Sequence, residues 1–447
     1  MPANILNLPA YKVLRVEETE HDYHIRAEVA QRPSHCTSCG SDRLLRYGRN
    51  EQLVRDLSIH GKRVGIYVDT QRWRCQACGK TFMEPLPAIN TKREMTDRLV
   101  VWIGQQSLRR TFASIAEDIG LDEKTVRNIF RDYVNELEKT VRFETPTWMG
   151  IDEIHIIKPR CVISNIRSNT VVDLLPNRNK DTVVHYLSHL DGRHQVQTVA
   201  MDMWAPYRDA VQAIMPEARI VIDKFHVVRM ANDAVERVRK SLRESLTPKQ
   251  RRGLMHDRFV LLKRERDLND KERLLLSGWT ANYPELGEAY RLKEAFYGVY
   301  EGMCTREQAF ARYAAWQRSV TPDVRDAFAN LIRAFTNWQP QILAYFDHPV
   351  TNAYTESLNS LIRVMNRLGR GYSFEALRAK ILFTEGAHNK TKPKFRRREA
   401  APTVGYAMFE MVGRASFGQN QHEVIETAKN YGADISTLIR LIEEGKL

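Results

Sequence analysis

The chain has 447 residues, enough for about three domains, and its hydrophobic content of 43% is ordinary for a globular protein. No stretch approaches the roughly 18 apolar residues of a membrane span, and the N-terminus lacks a signal-peptide pattern, so we expect a cytoplasmic protein without a membrane partner. The net charge of +13 and the pI of about 9.4 favour a polyanionic partner such as nucleic acid over a merely solvated basic surface.

Residues 1–88 contain two Cys-x-x-Cys pairs, which predict a small zinc-binding module with short strands. Each pair directs two thiolates at one point, so two pairs supply the four tetrahedral ligands of a structural Zn²⁺. Gly40 and Gly79 follow the pairs and suit the turn that lets the backbone approach sulfur. A redox dithiol is the weaker alternative. The predicted zinc ligands are Cys36, Cys39, Cys75 and Cys78.

Residues 89–145 change to a helical period and have the features of a helix-turn-helix DNA-binding domain. Gly120 ends one helix and Asp122 caps the next, on which Val126 and Ile129 face the core. The opposite side of this second helix is basic and polar, which suits phosphates and base edges in a major groove. A plain helical hairpin is the alternative. The predicted DNA-contacting residues are Lys124, Thr125, Arg127 and Asn128.

The pattern changes to strands near residue 148. Three strands are predicted at residues 149–157, 161–166 and 171–175, followed by helix, strand, helix and strand up to residue 222. This order predicts a mixed α/β sheet of the ribonuclease-H-like type. We assign residues 146–227 to its first part.

A helical segment at residues 228–345 is too long for a connection inside a compact domain, so we interpret it as a helical insertion. We assign residues 346–390 to the final helices of the split domain. We expect residues 391–447 to form a basic linker and a helical tail. The fold prediction is therefore a multidomain α/β protein. Large aromatic side chains of the insertion are expected to pack in the core rather than against distorted DNA. These are Trp279, Trp316 and Trp338.

Acidic residues occupy distinctive positions in the split domain. Asp152 lies within the first strand between apolar neighbours, where a charge is costly to bury unless it binds something. Asp202 and Asp223 follow the fourth and fifth strands. Glu356 lies on the helix after the insertion. The predicted buried side of this helix is formed by Tyr354, Leu358, Leu361 and Ile362.

Three carboxylates from different elements can hold two Mg²⁺ or Mn²⁺ ions about 3.5–4 Å apart, as metal-assisted attack on a phosphodiester requires. The fourth strand of such a sheet adjoins the first, whereas the fifth lies about 4.8 Å further out. We therefore favour Asp202 over Asp223 as the partner of Asp152. Asp223 and His226 then form a supporting pair, although Asp223 is also explained as a cap of the next helix. The alternative for Glu356 is an exposed helix charge.

The chain resembles the DDE transposases of bacterial insertion sequences, in particular the ISL3 family, in its cysteine pairs and in four motifs. The motifs are Gly150-Ile-Asp152-Glu153, Met201-Asp202-Met203-Trp204, Asp223-Lys-Phe-His226 and Asn352-Ala-x-Thr355-Glu356-Ser-Leu-Asn359. The resemblance covers nearly the whole chain. It implies that Asp152, Asp202 and Glu356 are the catalytic metal ligands.

The resemblance also implies cleavage at terminal inverted repeats and joining of 3′ ends to target DNA. It implies a homo-oligomer, at least a dimer on double-stranded DNA, associated with the bacterial nucleoid. Two other classes remain open: a non-catalytic DNA-binding regulator derived from a transposase, and a metal-dependent nuclease that cuts but does not join.

Overall fold

The computed structural model describes residues 5–141 and 143–386. The basic linker and helical tail predicted at residues 391–447 lie outside the described residues. Within these ranges the chain forms two β-sheets, three helices between them and a long helical segment, which confirms the predicted multidomain α/β class. No helix in the described part of the chain is long and apolar enough to cross a membrane.

The first sheet has seven strands in the order β1-β2-β4-β3-β7-β6, and β5 pairs with β4. Their bounds are β1 (Tyr11–Glu18), β2 (Asp22–Val29), β3 (Leu44–Ile59), β4 (Lys62–Cys75), β5 (Thr81–Met83), β6 (Ile89–Asn90) and β7 (Met95–Thr96). β6 and β7 thus join this sheet although they follow residue 88, where we expected the zinc module to end.

The hairpin of β3 and β4 dominates the first sheet. Its turn residues His60 and Gly61 have φ of 51° and 79°, the positive values that a two-residue hairpin turn requires. The prediction of short strands is wrong here, because β3 and β4 have 16 and 14 residues. The far end of this hairpin carries the cysteines, since Cys75 ends β4 and Cys39 lies shortly before β3.

Three helices follow the first sheet and form the predicted helix-turn-helix. They are α1 (Asp97–Ser107), α2 (Phe112–Ile119) and α3 (Glu123–Thr140). Gly120 ends α2 with a φ of 69°, a left-handed conformation that favours glycine. The Asp122 carboxylate then accepts a hydrogen bond from the Thr125 backbone N–H at 2.9 Å and caps α3. Val126 and Ile129 are buried as predicted.

The second sheet has the ribonuclease-H-like order β10-β9-β8-β11-β12. β8, β9 and β10 pair antiparallel, whereas β11 runs parallel to both β8 and β12. Its elements are β8 (Trp148–Ile156), β9 (Lys158–Asn165), β10 (Thr170–Leu175), α4 (Lys180–Ser188), β11 (Thr198–Met201), α5 (Ala205–Ile214) and β12 (Arg219–Ile222).

Seven helices follow β12 and form the predicted insertion. They are α6 (Lys224–Ser241), α7 (Pro248–His256), α8 (Arg258–Leu262), α9 (Asp270–Asn282), α10 (Pro284–Val299), α11 (Arg306–Arg318) and α12 (Pro322–Asp347). Trp316 and Trp338 are 4% and 7% exposed, so they pack in the core as expected, whereas Trp279 is half-buried and packs against the edge of their cluster. Their apolar cluster extends to Ile151 and Ile163 on one face of the second sheet.

The final described helices, α13 (Ala353–Leu368) and α14 (Phe374–Glu385), cover the other face of this sheet. Ile154 and Val162 on that face share an apolar cluster with Leu358 of α13 and with the helix-turn-helix. The sheet is therefore buried on both faces, and α13 is held directly against β8, the strand that carries Asp152.

Candidate active site

The four cysteines predicted to bind zinc lie together. Their sulfur atoms are all within 4.8 Å of one another. Cys36 Sγ lies 3.8 Å from Cys78 Sγ, and Cys39 Sγ lies 3.6 Å from Cys75 Sγ. Sulfur atoms 2.3 Å from a tetrahedral Zn²⁺ are about 3.8 Å apart, so these separations fit the ion.

Backbone geometry around the sulfurs also fits a metal site. Gly40 and Gly79 both have a φ of 73°, as the turns after the two pairs require. The Ser38 N–H points at Cys36 Sγ from 3.4 Å and lowers the pKa of that thiol. The Cys78 N–H acts in the same way and lowers the pKa of Cys75 to about 6. These two thiols are readily held as the thiolates that zinc binds. The Ser41 N–H lowers the pKa of Cys39, but the sulfurs of Cys78 and Cys75 outweigh it and the net pKa is raised.

Asp152 lies within β8, and Asp202 directly follows the neighbouring parallel strand β11. The β8–β11 register ends with Met201 opposite Ile151, so Asp202 follows β11 beside Asp152. Burial and, to a smaller extent, the negative charge of Asp202 together raise the pKa of Asp152 to about 7. Two acidic groups in such proximity disfavour double ionisation unless a cation lies between them.

His226 links Asp202 to Glu356. Its Nδ1 lies 3.0 Å from Asp202 Oδ1, and its Nε2 lies 3.7 Å from Glu356 Oε1. Burial alone lowers the pKa of His226, but the Asp202 carboxylate outweighs this effect and the net pKa is raised. The structure thus brings together His226 and two of the three predicted carboxylate ligands.

Asp223 has a different environment from Asp202. It is fully buried, and its Oδ1 accepts a hydrogen bond from the Phe225 N–H at 3.0 Å as the cap of α6. Its Oδ2 accepts a second bond from the Asn352 N–H at 2.8 Å, directly before α13. Both oxygens are therefore engaged with backbone groups, as in the helix-capping alternative. No hydrogen bond joins its carboxylate to the His226 ring in the described structure.

A row of polar side chains attaches α13 to the sheet. The Thr355 hydroxyl lies 2.6 Å from the Ser164 hydroxyl of β9 and donates to the Asn352 side-chain oxygen. Asn359 Nδ2 donates to Asp152 Oδ2 at 2.7 Å and to the Glu153 carbonyl oxygen at 3.3 Å. These bonds set the position of Glu356, whose side chain is 51% exposed.

Among the described residues, the carboxylate site has His226 as a partner but neither lysine nor arginine. In the described parts of the chain no lysine or arginine forms an ion pair with Asp152, Asp202 or Glu356. The three carboxylates do not approach as closely as the cysteines, which form the one cluster of metal-binding side chains within 4.8 Å among the described residues. The oxygen donors nevertheless fit hard divalent cations, because those ions prefer carboxylates.

A cavity of about 300 Å³ adjoins this site and is lined by Asp202 and His226. Glu153 points to this side, away from Asp152 as strand alternation predicts, and forms an ion pair with Arg178. The Arg178 guanidinium in turn lies 4.2 Å from the centre of the Trp204 ring.

The residues predicted to contact DNA lie on the N-terminal half of α3. Lys124 and Arg127 are exposed, Asn128 is half-buried, and all three line a groove of about 830 Å³. The opposite wall of the groove is the turn between α13 and α14. Arg127 forms an ion pair with Glu123. Thr125, the fourth residue predicted to contact DNA, donates its hydroxyl to the Asp122 carboxylate at 2.6 Å.

Sequence reasoning did not assign roles to three residues that build the site: Asn352, Thr355 and Asn359. Their spacing of three and four was the available signal, because it puts them on one face of a helix. The position of Leu361 was also predicted wrongly, since its side chain is 38% exposed. The true buried face of α13 is partly polar.

Comparison with known proteins matches three parts of the chain to family models. The DDE transposase family of ISL3 elements, described as "Transposase", matches residues 149–381, slightly over half of the chain. The "zinc-finger of transposase IS204/IS1001/IS1096/IS1165" matches residues 32–78. The "Helix-turn-helix domain of transposase family ISL3" matches residues 84–134.

Individual relatives agree with these matches. The transposase for insertion sequence element IS1001 of Bordetella parapertussis is 24% identical over 75% of this chain and 85% of its own length. The transposase for IS1557 of Mycobacterium tuberculosis is 26% identical over 66% of this chain and 72% of its own length. A helix-turn-helix that binds DNA and a structural zinc site thus accompany a transposase core. The chain belongs to the ISL3 family of transposases.

Proposed function

We propose that this transposase cleaves DNA at the terminal inverted repeats of an insertion sequence and joins the 3′ ends to target DNA, with Asp152, Asp202 and Glu356 as its catalytic carboxylates. The family implies an enzyme that cleaves and transfers DNA. The observation that supports these residues is the buried Asp152 beside Asp202, without a lysine or arginine paired to either in the described chain. Such a pair favours a bound cation.

Two Mg²⁺ or Mn²⁺ ions suit this donor set. When bound, they supply an activated water or 3′-hydroxyl and stabilise the leaving oxygen. The protein's own side chains hold the ligands for them: Asn359 fixes one oxygen of Asp152, and His226 links Asp202 with Glu356. We propose His226 and Asp223 as positioning residues, His226 through these two contacts and Asp223 through its bond to the start of α13.

We propose that the inverted repeat is contacted by Lys124, Thr125, Arg127 and Asn128. On binding, Arg127 and Thr125 have to exchange their intramolecular acidic partners for DNA groups. We also propose that at least two copies of the chain act together on the DNA of the bacterial nucleoid. Light scattering with and without an element-end duplex tests this, and a strictly one-copy complex argues against it.

The test of the chemistry uses the full chain, Mg²⁺ and a labelled duplex that carries an element end. We expect nicked and joined products, and we expect Asp202→Asn to abolish both. Asp181→Asn removes an exposed carboxylate in the first turn of α4 and is the matched control, expected to retain activity. Binding without cutting supports a regulator instead. Cutting without joining of a pre-cut 3′-hydroxyl end supports a simple nuclease.

A further inference from the structure

The helical insertion carries its excess positive charge in one short stretch. Residues 237–252 contain seven lysine or arginine residues and one glutamate, a net charge of +6 out of +13 for the whole chain. The rest of the insertion, residues 253–345, contains 13 basic and 12 acidic side chains. The excess is therefore confined to the end of α6 and the beginning of α7.

These cations surround a groove of about 500 Å³, which we name the α6–α7 groove. Its floor is apolar, with Leu246 and Leu254 only 5% and 1% exposed. No acidic side chain among the described residues lines it. Its basic side chains are Arg239, Lys240, Arg243, Arg251 and Arg252.

Most of these cations have no acidic partner. Arg239 pairs with Glu236 at 2.9 Å. Within the described structure no carboxylate forms an ion pair with the other four, all of which are exposed. The Arg251 guanidinium donates instead to the Arg243 carbonyl oxygen at 2.8 Å, which holds it at the groove. Like charges gathered in this way repel one another, so an external anion relieves the repulsion.

We propose that the α6–α7 groove is a second DNA-binding surface, which holds the phosphate backbone of duplex DNA without reading its sequence. Arginine and lysine neutralise phosphates by charge, and such contacts position DNA but do not select bases. The surface is separate from the helix-turn-helix and from the carboxylate site. The inference thus concerns where the duplex lies rather than the chemistry performed on it.

The helix α6 sets the distance between this groove and the candidate active site. His226 lies in its first turn and Lys240 in its last. Their separation of 14 positions corresponds to about 21 Å at 1.5 Å per residue. About six base pairs of duplex span that length at 3.4 Å each. On the proposed function, the groove therefore holds phosphates about six base pairs from the cleaved bond.

The test is the salt dependence of duplex binding by the full chain. The groove variant combines Arg243→Gln, Arg251→Gln and Arg252→Gln. With about 0.9 counterions released per phosphate, loss of three contacts lowers the slope of log K against log salt by up to about 2.7. The affinity at 0.1 M salt is then expected to fall by roughly 10²- to 10³-fold. Random-sequence and element-end duplexes are expected to lose the same slope.

The matched control combines Lys271→Gln, Arg325→Gln and Arg333→Gln. These exposed insertion residues lie outside the groove and have no carboxylate partner in the described structure. The control and the groove variant each remove three positive charges, so the change in net charge is identical. We expect this control to lose less than one unit of slope. A groove variant with lysine at its three positions is expected to keep most of the slope, and thermal unfolding checks that each variant folds.

Three results would overturn the inference. One is an unchanged slope in a folded groove variant, and another is an equal loss in the control. A third is loss of binding to vesicles containing phosphatidylserine with an unchanged DNA slope, which assigns the groove to a membrane surface. The catalytically impaired Asp202→Asn chain is expected to keep the full slope. Failure of the groove is therefore distinguishable from failure of the proposed chemistry.

Discussion

Gly150 lies on β8 where α13 approaches the sheet most closely, and a methyl group has no room there. A Cβ at this position would lie within 3.0 Å of oxygen atoms of Ser164, Asn352 and Thr355. The Thr355 hydroxyl would be at 2.7 Å, whereas ordinary contact begins at 3.4 Å, so α13 has to retreat by about 0.7 Å. Gly150→Ala therefore tests whether this contact sets the position of the neighbouring Glu356.

The magnitude follows from what the retreat disrupts. The 2.6 Å contact between Ser164 and Thr355 is buried, and overpacking of a site like this costs about 1–3 kcal/mol. A displacement of about 1 Å at a reacting centre can cost about 10²-fold in rate. We therefore expect Gly150→Ala to lower the free energy of unfolding by about 1–3 kcal/mol and to slow DNA nicking by about 10²-fold.

Denaturant unfolding and single-turnover nicking of the full chain measure the two effects. The control is Gly278→Ala in α9, where a Cβ meets nothing within 4 Å. Alanine is the better helix former by about 1 kcal/mol, so this control is expected to be slightly more stable and fully active. A Gly150→Ala chain as stable and active as the parent refutes the reasoning. Lower stability with intact nicking refutes the link to Glu356.

Asp223→Asn is expected to lower the free energy of unfolding by about 1–3 kcal/mol. The amide NH₂ of asparagine replaces one of the two accepting oxygens, and this donor then faces a backbone N–H, which is also a donor. Asp202→Asn is expected to change it by less than about 1 kcal/mol, and denaturant unfolding distinguishes the two. Burial lowers the pKa of Lys380 from 10.5 to about 7. Between these two pH values the Lys380 amine carries a proton in the unfolded chain but not in the folded chain. Stability should rise with pH there by up to about 1.4 kcal/mol per unit, and Lys380→Met should remove this component in unfolding titrations at pH 7.5 and 9. Cys75→Ser is expected to lose the single bound zinc, measured by atomic absorption, and to melt like the chelator-treated parent.

Features that depend on neighbours in the sequence could be predicted from it. The cysteine pairs with their following glycines define local turns, and Gly120 with Asp122 defines the junction of two helices. The strand order of the second sheet was also predictable, because the succession of strands and helices admits few arrangements. Its consequence, that Asp202 rather than Asp223 adjoins Asp152, followed from strand spacing alone.

The buried face of α13 could be predicted only in part in this way. Leu358 and Ile362 are buried as predicted, at 2% and 0% exposure. Apolar residues indicated that Leu361 faces the core, but Thr355 and Asn359 are buried instead, at 0% and 4% exposure. Their partners Ser164 and Asp152 lie 191 and 207 positions earlier in the chain. A polar side chain is buried when a partner satisfies it, and a local pattern does not contain that partner.

Asp223 explains how a split domain tolerates its insertion. Its two oxygens accept hydrogen bonds from Phe225, in the first turn of α6, and from Asn352, directly before α13. The chain thus departs from the sheet domain into the insertion, and comes back from it, at a single buried carboxylate. Because loop-closure entropy grows only slowly with length, the many residues between these points add little cost once their ends are fixed. Glu356 lies one turn beyond Asn352, so its position depends on this junction and on the contacts of α13 with β8 and β9, rather than on the packing of the seven helices between.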